Sequence, residues 1–222
     1  MKIEKVHFSE IKHIIDAAQV IKKKRERAVF FDGKKYYKVW VPNWTQGDIL
    51  EQALKVGFYH KGNASALESI IYDETGTRGY ICKSAEQLAP AGSRSWDKLI
   101  QKTSYEYRLR FMLEILEKSL ESGGMYVDLV ASNMVLVDNN ISLIDLDSYN
   151  SFSLIFDRKK DFFEEKFDLD AWWKPHETAK RDVDLFYRSY LKKCLDIDFE
   201  QTIDNINKVK KLVDILKQRG RQ

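Results

Sequence analysis

The sequence predicts an α+β chain, a strand-rich first third followed by a helix-rich remainder. Three observations carry this. Two hairpin signals lie within the first 83 residues, a long run of helical spacing fills residues 104–124, and two more helical runs lie near the C-terminus. Residues 27–42, RAVFFDGKKYYKVWVP, read as two strands around Asp32-Gly33, because Asp-Gly supplies the positive-φ positions of a tight turn. Residues 46–58, QGDILEQALKVGF, place Ile49, Leu50, Ala53, Leu54 and Phe58 at helical spacing. Residues 66–83 form a second hairpin, turning at Glu74 to Thr77. Upstream, Ser9 is placed to cap a helix over residues 10–18, which leaves the first strand very short.

The segment KSAEQLAPAGS, residues 83–93, is the natural boundary, giving domains 1–83 and 84–222. Beyond it, Ser104 is a helix N-cap and Gly123-Gly124 a C-terminal stop. A tight hairpin follows, Met134 to Val137 and Ile141 to Ile144 around Asp138-Asn139-Asn140. KRDVDLFYRSYLKKCL (180–195) and QTIDNINKVKKLVDILKQ (201–218) complete the helices.

With 222 residues, 44% hydrophobic and 32% charged, the chain is long and apolar enough to bury a core. Its 37 basic and 34 acidic residues leave a net charge of +3, too mild to predict nucleic-acid binding. Cys82 and Cys194 stand far apart in no ligand-like spacing, which argues against a disulfide framework or a zinc site and for a reducing cytoplasm. The N-terminal MKIEKVHFSEIKHII is charged throughout and lacks a signal-peptide core. No stretch has the roughly 18 apolar residues of a membrane span.

The functional signal lies in YVDLVASNMVLVDNNISLIDLDSY, residues 126–149. Asp128 and Asn133 enter the hairpin and Asp145 leaves it, so three oxygen-bearing side chains are expected at one end. Such oxygens suit a hard cation such as Mg²⁺. The order of a strand lysine, a helix glutamate, Asp-x-x-x-x-Asn and an Asp after a short hairpin resembles the protein-kinase-like superfamily. Its small atypical and sugar or lipopolysaccharide kinase branches are included in that likeness.

The resemblance covers nearly the whole chain and implies a two-lobed fold, a β-rich N-lobe with one main helix and an α-rich C-lobe. It makes Lys38, in YYKVW, the lysine on the α/β-phosphates of ATP. Glu51 becomes its helix partner, with Asp48 as a rival. YVDLVASN resembles H-R-D-L-x-x-x-N, so Asp128 would accept the proton of the attacking hydroxyl and Asn133 would hold a metal. LIDLDS resembles D-F-G, with Asp145 as principal metal ligand. Asp182, or its rival Asp184, would fix the catalytic-loop backbone, and WWKPHE falls near the position of A-P-E.

The chain departs from that family in three places. Tyr126 and Val127 replace the loop His-Arg, so switching by an activation-loop phosphate is not expected. Leu146-Asp147 replaces Phe-Gly. No glycine-rich loop precedes Lys38, where the chain reads AQVIKKKRERAVFF. Lys22, Lys23, Lys24, Arg25 and Arg27 would hold phosphates by side-chain charge instead, or form a solvated basic turn. The expected activity is Mg²⁺- and ATP-dependent phosphoryl transfer to a hydroxyl. The part of the chain after Asp145 is short, leaving little room for a peptide-docking platform, and Trp172 and Trp173 suit stacking on a sugar, which favours a glycan or other small acceptor over a protein. The alternatives are a pseudokinase that binds nucleotide or scaffolds a partner, and transfer of AMP at the same metal site.

Overall fold

The computed structural model describes residues 3–42, 45–56, 58–59, 66–83, 85–90, 93–137, 139–146, 148–157 and 176–221. It is α+β and divides into two compact units, Met1–Gln87 with Val135–Asp147, and Leu88–Met134 with Ser148–Gln222. Among the described residues no helix is long and apolar enough to cross a membrane.

The first unit is built on a six-stranded sheet in the order β2-β3-β4-β6-β5-β1. Its strands are β1 (Glu4–His7), β2 (Gln19–Lys23), β3 (Arg27–Phe31), β4 (Lys35–Trp40), β5 (Leu67–Asp73) and β6 (Gly76–Lys83). The β3–β4 hairpin turns at Asp32-Gly33, as the sequence predicts. The Asp32 carboxylate accepts from the Lys34 and Lys35 amides at 2.7 Å and from the Tyr37 hydroxyl at 2.6 Å. The second predicted hairpin is β5–β6, whose turn is held by Asp73 accepting from the Thr75 amide at 2.8 Å and hydroxyl at 2.6 Å.

Period-two alternation sends Tyr37 and Val39 to one face of β4 and Lys38 and Trp40 to the other. The first face packs with Ile71, Ile81 and the apolar side of α1 (Phe8–Ala17), through Ile11 and Ile15. The expected cap of this helix is corrected. His7, not Ser9, occupies the N-cap, its ring nitrogen accepting from the Ser9 amide, and the helix starts two residues earlier than expected. An imidazole acceptor satisfies the free helix N–H as a hydroxyl would.

Helix α2 (Thr45–Lys55) buries Ile49, Leu50 and Ala53. It ends before Phe58, which is nonetheless buried and whose amide reaches back to the Ala53 carbonyl at 2.9 Å. Gly47 lets the helix lie against β6, since a Cβ there would stand 2.5 Å from the Thr77 carbonyl oxygen. A small sheet, β7 (Glu86–Gln87), β9 (Met134–Val137) and β10 (Asn140–Leu143), carries the predicted hairpin. It is tied in by the Ala66 amide on the Leu143 carbonyl at 3.0 Å.

The second unit is organised by α4 (Tyr105–Ser122). The Ser104 hydroxyl caps it by accepting from the Tyr107 amide at 3.3 Å, and Gly123 closes it at φ 74°, both as predicted. Around it lie α3 (Asp97–Lys102), α5 (His176–Leu195) and α6 (Ile206–Arg219). α6 buries Val209, Leu212, Val213 and Leu216. Two short strands, β8 (Gly124–Tyr126) and β11 (Tyr149–Ser151), pair antiparallel.

Arg108 lies buried on α4 and donates to the Cys194 carbonyl at 2.8 Å, the Ile100 carbonyl at 3.3 Å and the Thr103 carbonyl. One guanidinium thus answers the free carbonyls at the C-terminal ends of α3 and α5, where a cation also complements the helix dipoles.

Gly79 sits in β6 directly against the lysine-bearing strand, and a Cβ there would fall 1.9 Å from the Lys38 carbonyl oxygen. Neither strand can yield without breaking the ladder. Gly79→Ala is expected to destabilise the fold by ~3 kcal/mol or more, a fall in melting temperature of about 6–12 °C. A thermal unfolding curve that overlays the parent's would show that the sheet relaxes around the methyl group.

Candidate functional site

In the first unit Lys38 lies on an interior strand, opposite Val29 on β3 and Tyr80 on β6. Its side chain is only 7% exposed, and its ammonium forms an ion pair with Asp145. The Nζ also lies 5.6 Å from the ring centroid of Tyr80 and 5.8 Å from that of Trp40, so aromatic faces add to the carboxylate in stabilising the charge. Asp145 follows β10 and takes a left-handed backbone, φ 64°. That conformation is uncommon outside glycine and clusters at functional positions.

Sequence reasoning missed the supports of this pair. The Tyr80 hydroxyl accepts from the Leu146 amide at 3.1 Å, and the Tyr59 hydroxyl donates to the Leu146 carbonyl at 2.8 Å. The only local signal was Tyr80's place in an apolar strand, which reads as core. Glu51 lies exposed on α2, and its carboxylate accepts from the Thr77 hydroxyl of β6. Lys22 and Lys23 lie on β2, and Lys24 and Arg25 follow in the β2–β3 turn, all exposed. That turn is closed by the Lys24 amide on the Arg27 carbonyl at 2.8 Å.

In the second unit Asp128 and Asn133 meet. The loop between them tightens through the Val130 amide on the Asp128 carbonyl at 2.8 Å and the Asn133 amide on the Val130 carbonyl at 2.9 Å. Asn133 Nδ2 then donates at 3.0 Å to both the backbone oxygen and the carboxylate Oδ2 of Asp128. These bonds fix the Asn133 rotamer and commit its nitrogen to Asp128, so its Oδ1 is the atom that remains for a cation. The loop's first residue is held from behind, because the Tyr187 hydroxyl donates to the Tyr126 carbonyl at 3.0 Å.

Asp182 is buried on α5. Its rival Asp184 has another task, accepting from the Ile203 amide at 2.8 Å and pairing with Arg188 at 3.4 Å. Trp172 and Trp173 lie outside the described residues.

Among the described residues no three His, Cys, Asp or Glu side chains gather into a cage for a metal. Taken separately, Asp145 offers a carboxylate in the first unit and Asn133 an amide oxygen in the second, donor types that suit Mg²⁺ rather than zinc.

No protein-family model matches the chain, and no curated protein matches it. Among solved structures, that of an apo pseudokinase is 12% identical, aligned over 98% of this chain and 95% of its own, with a TM-score of 0.46.

Cys82 is buried near the Lys38–Asp145 pair, and Cys194 is buried at the end of α5. Burial pushes each thiol up to about 12, although Lys38 and Arg108 respectively pull the other way. At pH 8 the thiolate fraction is then on the order of 10⁻⁴. The native protein is expected to leave a disulfide reagent unreacted for an hour, and the unfolded chain to titrate both thiols. Reaction of a native thiol within minutes would show that its strand or helix opens readily.

Proposed function

We propose that the chain is an ATP- and Mg²⁺-dependent phosphotransferase of the protein-kinase-like kind, acting on a hydroxyl group. In this reading residues 1–83 form a nucleotide-binding lobe and 84–222 a catalytic lobe. The observation that carries it is the Lys38–Asp145 pair. A buried strand ammonium and a carboxylate 107 positions later meet, and these are the two residues that the sequence pattern assigns to phosphate and metal. The Asp128–Asn133 hydrogen bond supports the other half of the pattern.

Mg²⁺, when bound, offsets negative charge on the phosphoryl oxygens. The chain's own residues supply position and electrostatics. Asp145 and Asn133 present oxygens to the cation. Lys38 presents a compact positive charge to the phosphates from an interior strand of the sheet. Asp128, aligned by the Asn133 amide, orients the acceptor hydroxyl and takes its proton. Lys23, Lys24 and Arg25 add charge on the phosphate side. The acceptor favoured is a glycan or other small molecule.

A second reading, a nucleotide-binding or scaffolding pseudokinase, draws on the β2–β3 turn. That turn holds Lys24, Arg25 and Glu26 and no glycine, so its backbone N–H groups cannot approach phosphates as a glycine-rich loop does.

Thermal stabilisation by Mg²⁺-ATP, followed by ATP consumption with candidate acceptors, separates the readings. Asp145→Asn is expected to abolish the Mg²⁺-dependent part of the stabilisation. Asp128→Ala is expected to lower turnover by about 10²-fold or more with ATP affinity nearly unchanged. Stabilisation by Mg²⁺-ATP that survives Asp145→Asn would remove the metal assignment, and binding without turnover on any acceptor would favour the pseudokinase.

The basic run gives a separate test. Neutralising Lys23, Lys24 and Arg25 together is expected to weaken ATP more than adenosine, with the difference shrinking as salt rises toward and above 0.1 M, where the Debye length is about 10 Å. Equal ATP affinities in the triple variant and the parent at low ionic strength would mark the run as solvated surface.

A further inference from the structure

We infer that Tyr59 and Tyr80 are positioning residues for Asp145, acting through the backbone on the two sides of Leu146. This rests on the reading of Asp145 as a metal ligand. Leu146 is wholly buried, so both of its main-chain polar groups need partners. Neither comes from a ladder. The N–H is taken by the Tyr80 hydroxyl at 3.1 Å and the C=O by the Tyr59 hydroxyl at 2.8 Å. The two phenols come from separate elements, Tyr80 from β6 and Tyr59 from the turn after α2. They are 3% and 5% exposed, so their rings are locked by packing.

The Tyr80 bond holds the peptide that joins Asp145 to Leu146, and the Tyr59 bond holds the peptide that follows, so the backbone is restrained on both sides of the Leu146 Cα. The residue before Leu146 is Asp145, at φ 64°. An aspartate in that region persists when its surroundings fix it, and the Asp145–Leu146 peptide held by the Tyr80 hydroxyl is such a constraint. Tyr80 also faces Lys38, with the Nζ 5.6 Å from its ring centroid. One side chain therefore sets the strand ammonium with its face and the Asp145 backbone with its hydroxyl.

Leu146 is thus held on both its N–H and its C=O side. The two tyrosines hold the carboxylate in one orientation whether or not nucleotide is bound.

Phenol-to-phenyl changes keep the rings and remove the grips. In the 222-residue chain at fixed ATP, Tyr59→Phe and Tyr80→Phe together are expected to raise the Mg²⁺ concentration giving half of the ATP-dependent thermal stabilisation by about fivefold or more. Each single change should give a smaller rise. Adenosine without metal should stabilise parent and variants alike. In the unliganded protein the Leu146 amide should exchange its hydrogen about tenfold faster in Tyr80→Phe.

Unchanged Mg²⁺ dependence in the double variant, with a responsive parent, would overturn the positioning role. So would a loss of adenosine binding in step with the loss of Mg²⁺ response, because that pattern reads as general loosening. A parent that shows no Mg²⁺-dependent ATP binding would instead overturn the functional reading, and this role with it, even with a protected Leu146 amide.

Discussion

The first unit depends on an ammonium group that is largely withdrawn from solvent. Lys38 is carried on β4, flanked by β3 and β6, with its side chain 7% exposed. An uncompensated charge there costs several kcal/mol, and breaking a buried pair by removing one partner typically costs ~3–5 kcal/mol. Asp145 is about one-third exposed, so the figure for this pair lies toward the low end. The pair still dictates geometry. Its carboxylate comes from the far side of the sequence, so the chain has to bring the β9–β10 hairpin to the first sheet. It does so with the Ala66 amide on Leu143, the β7–β9 pairing and the two tyrosine hydroxyls on Leu146. Each tie is worth little alone. Together they fix one carboxylate beside one ammonium.

Much of the fold was legible because its signals are local. Asp32-Gly33 encodes a turn in two residues, and the structure adds the carboxylate that locks it. Ser104 and Gly123 bound α4 by capping chemistry that involves no distant residue. β1 was not legible for the opposite reason. It is four residues long and pairs parallel with β5, more than sixty positions away, as Val6 opposite Ile71 shows. β2 is exposed along its whole length and bulged between Val20 and Lys22, so no alternation marks it. Lysines and a bulge on an outer strand discourage pairing with another chain, and they also erase the pattern by which a strand is recognised. Arg108 was hidden likewise. On α4 it reads as one more polar position, and its use appears only when two helix C-termini converge on it.

The candidate site divides along the same line. Asp128 and Asn133 are five positions apart, and their contact is a local loop closed by its own backbone. Spacing could therefore announce it. Lys38 and Asp145 share no local signal, and only the order of motifs along the chain linked them. Glu51 marks the limit of that linkage. A helical glutamate after a strand lysine satisfies the pattern, yet its hydrogen bond to the Thr77 hydroxyl depends on how closely α2 approaches β6. That approach is set by Gly47, a residue that otherwise reads as a weak point in a helix.

The placement of glycine has a consequence for how phosphates would be held. The chain has glycine where backbones press together, at Gly47 against Thr77 and Gly79 against Lys38, and none in the β2–β3 turn. Backbone N–H groups in a glycine-rich loop are fixed dipoles that need little ordering on binding. Lysine and arginine side chains on an exposed turn each lose about 2 kcal/mol of rotamer freedom when immobilised, and their attraction is screened by salt. A triphosphate held from that side would gain speed of encounter more than tightness. Tightness would then have to come from groups that are already ordered. In the first unit those are the Lys38 ammonium, fixed by its strand and by Tyr80 and Trp40, and the Asp145 carboxylate, fixed through Leu146. Rigidity in the sheet can therefore stand in for the glycine loop, but only while the Lys38–Asp145 geometry is held from below.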